Sequence, residues 1–75
     1  MSDLKEKLRA IVAEVSEIEE IPDEVPFAEL GIDSMMAIEI VAEVERTYKV
    51  KVPEEELKGI DNFASVYQLF VNKIA

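Results

Sequence analysis

The sequence predicts an all-α fold: a small bundle of three long helices plus one short helix, with a long loop after the first helix. Three observations predict it. Apolar residues recur at helical spacing in three separate segments. Pro22 and Pro26 interrupt the chain between the first two of them. The only alternating apolar run, KVKVP, has no second strand to pair with.

The first helix is read over SDLKEKLRAIVAEVSEI, where Leu4, Leu8, Ile11, Val12, Val15 and Ile18 make one stripe. Ser2 or Asp3 caps it, and Asp3 with Glu6 has capping-box spacing. Lys5, Glu6, Arg9 and Glu14 fall off the stripe. The acidic loop EEIPDEVPFAELGID follows, with Val25, Phe27, Leu30 and Ile32 as its expected anchors and a single helical turn at 27–30. It lacks the alternating ligands, central glycine and closing glutamate of an EF-hand. SMMAIEIVAEVERTY is the second long helix. KVKVP is then an extended connector pinned by Val50 and Val52. EEELKG forms the short helix, with Pro53 at its start, Leu57 inward and Gly59 at its end. The last helix carries Phe63, Val66, Tyr67, Phe70 and Ile74, with Asp61 or Asn62 as cap. Residues 1–75 are therefore read as one domain.

Composition narrows the function. At 75 residues the core is modest. Without cysteine or histidine, thiolate and imidazole metal sites and most nucleophilic triads are excluded. An enzyme is not expected. The net charge of -9 disfavours nucleic acid and an acidic membrane surface, and favours basic protein partners. It also keeps a small protein soluble and monomeric. No signal-like or membrane-spanning run occurs, so a cytoplasmic location is expected.

The second helix carries the sharper signal. On a helical wheel Ala37, Ile40, Val41, Val44 and Tyr48 form a core face. Met35, Ile38 and Ala42 form a second apolar patch, bordered by Glu39 and Glu45, with Arg46 near Glu39. Met36 points in a third direction and is read as exposed. Such a patch suits a partner with a basic rim, although single exposed apolar residues are also ordinary surface. Ser34 is either the helix cap or an attachment point. Asp33 can cap in its place, which frees the serine hydroxyl. An attached phosphodiester would lie near free helix N–H groups.

Leu30-Gly31-Ile32-Asp33-Ser34-Met35 resembles the leucine-glycine-x-aspartate-serine-apolar centre of the acyl carrier proteins. Length, acidity, IEIVAEVERTYKVKVPEEEL and the first helix extend the resemblance over nearly the whole chain. It implies a discrete carrier with 4'-phosphopantetheine on Ser34, supplied from coenzyme A by a phosphopantetheinyl transferase, and Asp33 as motif partner. Acyl cargo would ride on the thiol of that arm. The resemblance also implies a partner-binding face of Met35, Met36, Ile38, Glu39, Ala42 and Glu45. Acyl-transferring, condensing and modifying enzymes with basic docking patches would use it. Ile60 and Phe63 would lie near the cargo, and the pocket would depend on Ile40, Val44, Ile60, Phe63 and Tyr67. Met36 stands where fatty-acid carriers usually have a polar residue, and Lys49 and Lys51 make the following segment more basic. A fatty-acid, polyketide or related pathway fits. The alternative is an acidic interaction module with the same bundle and no prosthetic group.

Overall fold

The computed structural model describes residues 3–74. Four α-helices occur among them: α1 (Asp3–Ser16), α2 (Ser34–Tyr48), α3 (Glu54–Leu57) and α4 (Phe63–Ile74). A 3₁₀ turn, Phe27–Leu30, sits inside the long loop. No strand occurs among the described residues, and the connector at 50–53 has no regular secondary structure, with Pro53 extended. Capping by Ser2, and by the side chain of Asp3, lies outside what the structure describes.

The helices meet through the stripes read from the sequence. Leu8 and Val12 of α1 are fully buried between Ile40, Val41 and Val44 of α2 and Phe63, Val66 and Phe70 of α4. Burying such side chains stabilises by about 1.5–3 kcal/mol each, which is the main force holding the bundle. Several helix ends have a specific device. A left-handed Glu17 (φ 61°) follows α1, and Ser16 Oγ takes the Ile18 N–H at 3.3 Å. A left-handed Lys49 (φ 58°) ends α2. Asn62, rather than Asp61, caps α4: its Oδ1 accepts from the Ser65 N–H at 2.8 Å. Ser65 Oγ accepts from the Asn62 N–H at 3.1 Å in return.

The long loop is anchored differently from expectation. Phe27 and Ile32 are buried and Leu30 packs on the core, as expected. Val25 does not pack there; Ile21, between two acids and a proline, is buried instead. Arg9 also has a larger role than its off-stripe position suggested. Its guanidinium meets Asp23 at 2.6 Å, donates to the Ile21 carbonyl, and lies 4.5 Å from the Phe63 ring centre. Lys5 meets the same carboxylate at 2.7 Å. Backbone bonds complete the strap. The Phe27 N–H donates to the Asp61 carbonyl at 2.7 Å, and the Ala64 N–H to the Asp23 carbonyl at 2.9 Å. The second of these satisfies one of the N–H groups that the start of α4 leaves open.

Asp23 links this strap to pH. Hydrogen bonds from Lys5, then from Arg9, hold its carboxyl below the ordinary value of 3.8. A carboxyl depressed on folding contributes stability that is present above its unfolded pKa and lost as pH falls through the folded one. Asp23→Asn is thus expected to be less stable than wild type at neutral pH, by a difference that shrinks below about pH 4. Urea melts at a series of pH values check this. A difference that stays constant into acid would show that the ion pairs contribute nothing.

Candidate functional site around Ser34

The approach to Ser34 is set by backbone geometry. Gly31 takes a left-handed conformation (φ 84°) and closes the 3₁₀ turn with its N–H on the Ala28 carbonyl, 3.2 Å away. A Cβ there would meet nothing within 4 Å, so glycine is favoured by its φ alone. Buried Ile32 then fixes the chain to the core. Asp33 is extended and is the true cap of α2: its Oδ1 accepts the Met36 N–H at 2.8 Å, and its carbonyl the Ala37 N–H at 2.9 Å. Ser34 is therefore the first helical residue, exposed, with no partner for its hydroxyl among the described residues.

Beside it lies a groove of about 460 Å³, within the range of small-molecule sites. Ser34, Ala37, Ile38 and Val41 of α2 form one wall. Leu57 of α3 and Ile60 behind it form the other, with Glu54 and Lys58 on the same side. This corrects the expected pocket. Ile40, Val44 and Phe63 are sealed in the core, and of the five residues named from sequence only Ile60 reaches the groove. The missed wall had one signal: Glu54, Leu57 and Lys58 share a face at helical spacing. The sequence could not say that this face meets α2.

The outer face of α2 is partly as expected. Met35 is 75% exposed and Ile38 54%, and exposed Glu39 and half-buried Ala42 accompany them. Met36 departs: it is half-buried and packs against the core. Glu45 departs too, because its Oε2 accepts the Val52 N–H at 2.7 Å and so holds the connector to α2. Arg46 pairs with Glu43 at 3.5 Å rather than with Glu39. Among the described residues no cluster of three ligating side chains could hold a metal, and no helix is long and apolar enough to cross a membrane.

The free hydroxyl and the adjoining apolar groove suit a covalently attached, partly apolar group. Comparison with known proteins points the same way. A family model described as a phosphopantetheine attachment site matches residues 6–70. The chain is 38% identical over 73 residues to a polyketide-8 synthase acyl carrier protein 2 of Streptomyces avermitilis, covering 93% of this chain and 84% of that one. It is 40% identical over 78 residues to the anthracycline acyl carrier protein DauA of a Streptomyces species, covering 97% and 87%. It is 36% identical over 69 residues to a non-reducing polyketide synthase of Talaromyces marneffei, covering 89% of this chain but only 3% of that much longer one. No solved structure matches significantly.

Proposed function

The chain belongs to the phosphopantetheine-bearing acyl carrier proteins, and from that premise we propose that Ser34 carries the arm and that the cargo is a polyketide intermediate. One observation carries the choice of residue. Asp33 does the capping, so the Ser34 hydroxyl is left exposed and unpaired beside an apolar groove. Polyketide cargo is supported by the kinship to discrete polyketide and anthracycline carriers, of whose length the chain covers 84% and 87%.

Loading transfers a phosphoryl group. The Ser34 oxygen attacks the coenzyme A phosphorus nearer the pantetheine; a serine O–P bond forms, the pyrophosphate P–O bond breaks, and 3',5'-ADP leaves. The hydroxyl proton goes to a base of the transferase, since no side chain among the described residues of the carrier accepts from the Ser34 hydroxyl and the neighbouring Asp33 is engaged as helix cap. When bound, the arm supplies the thiol on which acyl groups ride as thioesters. The chain's own contribution is positional. Asp33 holds the helix start, Gly31 and Ile32 set the approach, and the groove shelters what is attached. We assign the protein no catalysis of its own, and read residues 1–75 as one monomeric, cytoplasmic carrier domain.

Intact mass after incubation with coenzyme A and a phosphopantetheinyl transferase tests the reading. One added arm, on a peptide containing Ser34, is the expected result. A chain that gains none would be an acidic docking module instead.

Partner enzymes with basic patches would dock on Met35, Ile38, Glu39 and Ala42, with Met36 and Glu45 at the margin. Glu39 is the residue to test, because Glu45 also holds the connector. Glu39→Lys is expected to slow arm transfer several-fold at low ionic strength, with the loss fading as salt rises. Rates unchanged at low salt would rule out electrostatic recognition through this residue.

A further inference from the structure

Lys58 is the one cation in the groove beside Ser34. Three other cations are engaged elsewhere by the strap and by α3: Lys5 and Arg9 on Asp23, and Lys73 on Glu56 at 3.1 Å. Lys58 makes no ion pair among the described residues, not even with Glu54 one turn before it. It is exposed, at the C-terminal cap of α3. Around the serine the remaining fixed charges are negative: Asp33 next to it, Glu54 in the groove, Glu39 on the outer face. A phosphodiester on Ser34 would add another negative charge to this acidic surface. The start of α2 offers it little relief. The Asp33 side chain already takes the Met36 N–H, which leaves only the Ser34 and Met35 N–H groups to face an anion, and its carboxylate opposes one there.

We propose that Lys58 is a positioning residue for the arm: its ammonium holds the phosphodiester against the groove, so that the arm runs between α2 and α3 rather than out into solvent. This rests on Ser34 being the attachment site. A lysine suits the task. It is a flexible point charge with three donors, able to follow a phosphate through several arm conformations. Glu54 is its competitor. When Lys58 turns to Glu54 the arm is released, and when the phosphate is present the ammonium has two anions to choose between. An exposed pair of this kind shifts the docked-to-free ratio of the arm by about two- to five-fold, and salt weakens it.

The test uses the loaded protein and the ³¹P resonance of its single phosphodiester. In wild type the resonance is expected to move as ionic strength rises. In Lys58→Ala it should sit at the high-salt position throughout. Lys58→Arg should restore the salt-dependent shift, and Glu54→Gln should enlarge it. A Lys58→Ala resonance that still tracks salt as wild type does overturns the proposal, and would leave Lys58 as a solvated surface charge. Lys58 is exposed, so the variant keeps its fold, which helical circular dichroism checks. Loading is scored first and separately by intact mass. Wild type that takes no arm overturns both this proposal and the carrier reading, whereas a loaded protein with an indifferent resonance overturns this one alone.

Discussion

Ser34→Ala is expected to take up no arm at all, while folding as wild type does. The loss of loading should be complete, because a methyl group has no oxygen for the phosphorus to bond. The folding half of the expectation is the sharper one. If Ser34 were the cap of α2, its removal would cost about 1 kcal/mol. The cap is Asp33, which accepts the Met36 N–H at 2.8 Å, so Ser34→Ala should cost a few tenths at most. Asp33→Ala should show the opposite pattern, losing the capping energy while keeping a hydroxyl that can be loaded. Intact mass and urea melts on both variants separate the roles. An arm on Ser34→Ala would move the attachment to another residue, and a 1 kcal/mol loss in it would return the capping role to the serine.

Arg9→Ala is expected to give the largest stability loss among changes outside the apolar core. One guanidinium serves four partners: the Asp23 carboxylate, the Ile21 carbonyl, the Phe63 ring and, at 3.6 Å, the exposed Glu6 carboxylate. The exposed part of the ion pair is worth little, under about 1 kcal/mol. A charge-assisted bond to a carbonyl contributes about 1.5–3 kcal/mol, and a cation over a ring about 0.5–1 kcal/mol. These are not additive, and a net loss of about 2 kcal/mol is expected. That is a large share of the roughly 4–11 kcal/mol available to a chain of 75 residues. It should lower Tm by about 8–16 °C. Arg9→Lys keeps the charge but not the fork, and should recover only part. Thermal melts of both variants check this. A loss below about 0.5 kcal/mol for Arg9→Ala would mean that Ile21 and Phe27 alone hold the loop.

The three long helices were legible because their stripes have a period that only a helix satisfies, and the stripe residues are buried in the core or packed against it. Asp33 as cap was legible too, since capping is a local matter of spacing. What sequence pattern missed was set by contacts between distant segments. Ile21 looks like loop until its carbonyl is seen on Arg9, twelve residues back. Glu45 looks like a rim charge until the connector folds over and gives it the Val52 N–H. Met36 looks exposed on an isolated wheel, but packing around the start of α2 half-covers it. The groove was the largest omission, because its second wall comes from a four-residue helix whose orientation no periodicity records.

That short wall has a thermodynamic consequence. No residue of α3 is fully buried, and its hold on the rest is half-buried Leu57 with one ion pair from Glu56 to Lys73. The opposite wall belongs to α2, whose Ile40, Val41 and Val44 are anchored in the core. Free energies of local opening follow such differences, so the two walls belong to different cooperative units. The α3 side can fluctuate at little cost while α1, α2 and α4 remain intact. The groove is thus expected to vary in width from its α3 side, which amide hydrogen exchange would show as faster exchange in α3 than in α2.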